Sequence, residues 1–139
     1  MNDNKKKLNE ALLRILQLDI TNVLKQFLEG EVGLLFLLLR SQRSLSPSEI
    51  AKNLNISKGR VAALINSLCD KEYIEVTISQ EDRRSFNVSL TKEGYAYLKE
   101  KINYADLYFD KMLEKLGEEK SNTLIDILNE TVTLMEEEK

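Results

Sequence analysis

Between Ser57 and Leu90 the spacing of apolar residues changes period, and this change limits the possible folds more than any other feature of the chain. Val61, Leu64, Ile65 and Leu68 fall at i, i+3, i+4 and i+7, one stripe of an α-helix, with Gly59, Ala62, Ala63 and Asn66 on the opposite side. A few residues later Ile74, Val76 and Ile78 alternate with polar neighbours, and Phe86, Val88 and Leu90 do the same. The first pattern predicts a helix and the second a two-stranded hairpin, one face on the core, with a polar tip from Ser79 to Arg84. The tip lacks the Asn-Gly or Asp-Gly of a two-residue turn, so the connection should be longer and mobile.

Upstream, "LSPSEIAKNL" (45–54) carries explicit helix punctuation. Ser46 fits the N-cap and Pro47 the first helical position, where a missing N–H costs nothing; Glu49 completes a Ser-x-x-Glu capping box. "NIS" at 55–57 ends this helix, and Ser57 can cap the next. Two short helices joined by a tight turn, the second with small and polar residues outward, make a helix-turn-helix. With the hairpin added, the pattern is a winged helix-turn-helix.

The flanks are helical. Leu8, Leu12, Ile15, Leu16, Ile20, Val23 and Phe27 keep one broad face with no Pro or Gly until Gly30, which predicts one long first helix. Residues 31–42 are apolar nearly all round and predict a central helix. Thr91 is placed to cap a long helix striped by Leu98, Ile102, Ala105, Phe109, Met112 and Leu116. After an interruption near Gly117, a last helix carries Leu124, Ile125, Leu128, Val132 and Met135. The fold class expected is mainly α with a small β-hairpin, in one domain over residues 1–139. Residues 31–94 form its winged core, and the helices of 4–29 and 95–137 have apolar surface for a homodimer.

The chain has no histidine and one cysteine, Cys69. That removes the commonest metal ligand and general base, so no Cys/His zinc site, Ser/His/Asp triad or Cys/His dyad can be assembled. No enzyme, metal or cofactor is expected, and Cys69 reads as an inert, partly buried thiol. The longest apolar run, residues 32–39, is far shorter than the roughly 20 residues of a membrane span. No signal-peptide pattern opens the chain, so the expected location is the cytoplasm without membrane contact.

Charge is divided unevenly. Residues 1–92 carry 14 Lys+Arg against 11 Asp+Glu, and residues 93–139 carry 6 against 12. Between 40 and 60, Arg40, Arg43, Lys52, Lys58 and Arg60 face a single acid, Glu49. Local potential decides where phosphates dock, so an acidic total of -3 does not exclude double-stranded DNA as partner. On DNA the helix from Ser57 would enter the major groove, with Gly59, Ala62 and Ala63 permitting close approach. Lys58, Arg60 and Asn66 would read or anchor, Arg60 suiting guanine and Asn66 adenine. Ser46, Ser48 and Ser57 lie at helix N-termini, which favour phosphate. Arg83 and Arg84 at the hairpin tip would reach the minor groove, with Asp82 holding one guanidinium in place.

The stretch "ISKGRVAALINSLCDKEYIEVTISQEDRRSFNVSLTKEG" resembles the core of the MarR family of bacterial transcription regulators. The motif that carries the likeness is Asp-x-Arg-Ser followed by Leu-Thr-x-x-Gly, here Asp82, Arg84, Ser85, Leu90, Thr91 and Gly94. The resemblance implies a dimer on a pseudo-palindromic operator, with Arg84 as the minor-groove arginine and Asp82 as its partner. It also implies repression released by a small molecule or another signal, and Tyr97, Tyr104 and Tyr108 are candidate contacts for such an effector. A winged-helix module that binds another protein without reading DNA is the alternative.

Overall fold

The computed structural model describes residues 2–82 and 84–138. The chain divides into two units, Met1–Asn103 and Tyr104–Lys139. In the first unit, α1 (Asn2–Leu16), α2 (Asp19–Lys25) and α3 (Gly30–Ser41) precede α4 (Pro47–Leu54), α5 (Lys58–Asp70) and the strands β1 (Ile74–Ile78) and β2 (Phe86–Leu90). Helix α6 (Lys92–Leu116) begins in the first unit and ends in the second, which also holds α7 (Glu118–Glu136). This is the winged helix-turn-helix expected from the change of period.

The core of the first unit is aliphatic. Leu34 and Leu35 of α3, Leu45, Ile50 of α4, Val61 and Leu68 of α5, Val88 of β2 and Leu98 of α6 are almost wholly buried. Helix α3 is central because it buries residues nearly all round: Gly33, Leu34, Leu35, Leu37 and Leu38. The capping box of α4 forms as its residues predict, with the Ser46 N–H donating to Glu49 Oε1 at 3.1 Å and the Glu49 N–H to Ser46 Oγ at 3.2 Å. Asn55 closes α4 in the left-handed region (φ 55°), where a short polar side chain is tolerated better than most, and three residues later α5 begins.

Two expectations change. The long first helix is two helices, broken at Gln17 and Leu18. Leu18 turns extended (φ -86°, ψ 155°), and the Ile15 carbonyl, freed at the end of α1, accepts from the Leu18 N–H at 3.0 Å and from Thr21 Oγ1 at 3.1 Å. Asp19 then sits in the first turn of α2, where the helix dipole favours an acid. The apolar period continues across the break, so periodicity alone did not show it.

The second change concerns the hairpin. Its strands pair antiparallel in the register Ile74↔Leu90, Val76↔Val88, Ile78↔Phe86. Only the base lies in the core: Ile74 and Val88 are buried, whereas Val76 is 42% and Ile78 70% exposed. Leu45 pairs with the outer side of β2 through reciprocal bonds to Val88 of 2.9 and 2.7 Å, so the core grips the ribbon at its base, through Ile74 and Val88 in successive rows of one face. Beyond those rows the ribbon projects away from the body, and alternation no longer reports burial.

The base of the hairpin is locked to the start of α6. Thr91 Oγ1 donates to the Glu72 carbonyl at 2.7 Å and accepts the Gly94 N–H at 3.0 Å. A Cβ on Gly94 would lie 2.0 Å from the Tyr73 carbonyl oxygen, so only glycine lets α6 start here. Gly94→Ala should therefore cost about 3 kcal/mol of unfolding free energy by overpacking against backbone. Gly59→Ala, where the nearest atom stands 4.0 Å away, should leave stability unchanged or slightly raised. Urea titration of the two variants measures both.

Candidate nucleic-acid interface

Helix α5 opens at the N-cap Ser57, whose Oγ accepts the Arg60 N–H at 3.1 Å. Val61, Leu64, Ile65 and Leu68 are buried, as the period required, and the other side is open. At about 100° per residue the outward face centres on Gly59, Ala62, Ala63 and Asn66, all exposed. Lys58 lies on one flank of that face and Arg60 on the other, both exposed. The middle of the face carries no long side chain, so a partner can approach the helix backbone with cations to either side.

The serines divide in role. Ser46 is half-buried and its hydroxyl is engaged in the capping box, whereas Ser48 and Ser57 are exposed at the starts of α4 and α5. The basic cluster is smaller than the residue count suggested. Arg43 Nη2 bonds Glu49 Oε2 at 2.5 Å, and the Arg40 guanidinium lies over the Phe36 ring, 5.2 Å from its centre. Lys52, Lys58, Arg60 and Arg84 make no ion pair among the described residues.

At the hairpin tip, Asp82 acts differently from the expectation. Its Oδ1 accepts the backbone N–H of Arg84 at 2.9 Å, and its carbonyl accepts the N–H and the hydroxyl of Ser85, each at 3.0 Å. The Ser79 N–H closes the loop onto the Ser85 carbonyl at 3.0 Å. Asp82 and Ser85 thus shape the turn, while the Arg84 side chain is exposed and joins no ion pair among the described residues. An aspartate two residues before an N–H bonds it readily, and this local bond replaces the expected hold on the Arg84 guanidinium. Arg83 lies outside the described residues.

The aromatic candidates are engaged elsewhere in part. Tyr97 stacks on Tyr73 with ring centres 4.6 Å apart, and Lys101 Nζ stands 5.3 Å from the Tyr97 ring. In the second unit Tyr108 meets Phe109 edge-on at 6.2 Å, and Tyr104 is exposed. Cys69 is half-buried; burial first, and then the Asp70 carboxylate, push its thiol up, which keeps it protonated. No group of three or more His, Cys, Asp or Glu among the described residues could hold a metal ion, and none of their helices is long and apolar enough to cross a membrane.

One network went unread in the sequence. Glu31 in the first turn of α3 accepts the Ser67 hydroxyl with Oε1 and Lys71 Nζ with Oε2, the latter at 2.8 Å. Ser67 and Lys71 share a helix face by their spacing, but nothing local points from them to an acid 36 residues before Ser67.

A family profile described as MarR family matches residues 27–85, from the end of α2 to the turn before β2. Residues 27–85 of this chain are thus similar to the MarR family. The HTH-type transcriptional repressor YetL of Bacillus subtilis is 29% identical over 103 residues, covering 65% of this chain and 62% of that protein. The HTH-type transcriptional regulator PapX of Escherichia coli is 31% identical over 83 residues, 60% of this chain and 51% of that one. The match thus spans between half and two thirds of each of these relatives. Among solved structures, YusO of Bacillus subtilis superposes with a TM-score of 0.72 at 27% identity over 96% of this chain and 94% of that one. FabT of Streptococcus pneumoniae, solved in complex with DNA, superposes at 0.76 and 23% identity over 97% and 99%. The fold shared with these structures therefore extends beyond the profile match, to the flanking helices.

The Arg43–Glu49 pair gives this chain a definite acid response. The Arg43 guanidinium first, and then the Ser46 N–H, lower the Glu49 carboxyl from 4.5 to about 2. A carboxyl depressed in the folded state stabilises above its unfolded value, and that contribution is lost as pH falls through the folded one. Stability should decline as pH falls from about 4.5 to about 2, and Glu49→Gln should remove part of that slope in urea titrations across this range. Both side chains are more than a third exposed, so added salt should shrink the difference.

Proposed function

We propose that this protein is a sequence-specific, DNA-binding transcription regulator of the repressor type, working in the cytoplasm as a homodimer. The observation that carries the reading is the pairing of two surfaces. Helix α5 presents a face without bulk, flanked by Lys58 and Arg60, and the hairpin tip presents Arg84 on a turn built by its neighbours. A helix of this shape suits the major groove, and an arginine on a projecting ribbon suits the adjacent minor groove, where negative potential is deep. In this reading Lys58, Arg60 and Asn66 meet base edges or phosphates, Gly59 and Ala63 set the approach, and Ser48 and Ser57 meet phosphate. Ser46 supports them through its cap. The relatives named as repressor and regulator, and the fold shared with a protein solved on DNA, support it.

The dimer rests on apolar surface. Leu8, Leu12 and Leu16 of α1 are 51 to 61% exposed, and Ile127, Leu128, Val132 and Met135 of α7 are 54 to 61% exposed. Contiguous apolar faces of this kind need a cover, and a second copy supplies one with two-fold symmetry. A two-fold dimer would read a pseudo-palindrome with half-sites one helical turn apart.

Selection of bound duplexes from a random pool should return such a pseudo-palindrome. Arg84→Ala should weaken binding to that site on the order of tenfold and lower the slope of log K against log salt by about one per protomer. No enrichment at low salt would point instead to a winged-helix module that binds protein, and an unchanged salt slope would remove Arg84 from the interface.

A further inference from the structure

The four aliphatic residues that seat α5 hold its buried face on the core by contact that is itself non-directional. Their close packing restrains rotation about the helix axis, and directional bonds can restrain it further. Rotation matters to a reading helix. Turning by about 20° moves atoms about 5 Å from the axis by nearly 2 Å, more than a hydrogen bond tolerates.

Glu31 adds directional bonds to that packing. Its two oxygens engage two residues on one side of the helix: Ser67 of α5 through Oε1, and Lys71, the residue that caps α5, through Oε2 at 2.8 Å. Arg60 and Ser67 of α5, with Lys71 at its C-cap, fall in one stripe about a quarter turn from the outward face. Arg60 also borders a cleft of about 320 Å³ with Glu29, Gly30, Asn55 and Ile56. The hydrogen bond from Lys71 first, then that from Ser67, hold the Glu31 carboxyl below its ordinary value, with a smaller pull from the Arg60 charge. Carboxylate bonds to a hydroxyl and an ammonium are directional and charge-assisted, as aliphatic contacts are not.

We propose that Glu31 is a positioning residue for DNA reading: its two oxygens set the rotation of α5, and with it the angle at which Gly59, Ala63 and Asn66 meet base edges. This rests on α5 being the reading helix. Glu31 acts through the helix and is not itself a contact to bases.

The test uses the full-length protein and two duplexes of equal length at one salt concentration, the site recovered by selection and an unrelated sequence. Glu31→Gln should bind the selected site about tenfold more weakly, the order of one lost base contact. Binding to the unrelated duplex should stay level or tighten, since that binding follows charge and an acid beside a basic surface has gone. Lys71→Met should act in the same direction, and the two changes combined should add little to either alone. Urea titration separates this from instability, which would weaken both duplexes equally; such an equal loss, or an unchanged ratio in a folded variant, overturns the proposal. Should Glu31→Gln fail to fold, exposed Lys71→Met carries the same comparison, and an unchanged ratio there overturns the proposal equally. A wild-type protein that selects no sequence overturns the DNA reading and this proposal together, whereas selection by wild type with an unchanged ratio in the variants overturns the proposal alone.

Discussion

Where Gly94 lies on the Tyr73 carbonyl, three parts of the molecule meet with no room for a side chain between them. Tyr73 follows the end of α5, Thr91 follows the hairpin, and Gly94 stands in the first turn of α6. The Thr91 hydroxyl spans the junction, bonding the Glu72 carbonyl on one side and the Gly94 N–H on the other. The Thr91 N–H adds a bond to the Tyr73 carbonyl at 3.2 Å. Because the hairpin leaves and re-enters the body at this point, the direction of the ribbon and the axis of α5 are tied to one backbone crossing. The proposed reading of one duplex by α5 and Arg84 requires that their separation be held, and at the base of the hairpin short bonds and a close contact hold it.

The same economy appears at the tip. Asp82 and Ser85 commit their polar groups to the turn, so Arg84 is carried at the apex by its neighbours instead of being restrained by them. The Arg84 side chain is exposed and joins no ion pair among the described residues, so it is open to a partner outside the protein. Arg43 shows the opposite case. Its charge is shared with Glu49, and it contributes to the cap of α4 more than to the field seen by an approaching polyanion. The positive surface is thus narrower than the count of lysines and arginines suggests, and it follows the exposed residues of α4, α5 and the tip.

Much of the fold was legible because its signals are local. The Ser46–Glu49 cap, the end of α4 at 55–57, the buried stripe of α5 and the two strands of the hairpin all follow from spacings of a few residues, and each appears where the spacing placed it. The break between α1 and α2 was not legible, because the apolar period runs through it and Leu18 carries no signal of an extended conformation. Exposure of Val76 and Ile78 was hidden for a related reason: alternation reports which residues share a face, and only the reach of the core decides how far along the strand that face is covered.

For the site, sequence by itself determined which residues stand outward on α5 and which polar residues surround Arg84, since helix and strand periods are properties of the chain. Tertiary structure alone decided which charges remain free. Glu31 and Lys71 are 40 residues apart, and folding brings them together. Spacing along a chain gives direction within one element. Ion pairs and hydrogen bonds form within about 3 Å, and only folding brings atoms from separate elements that close.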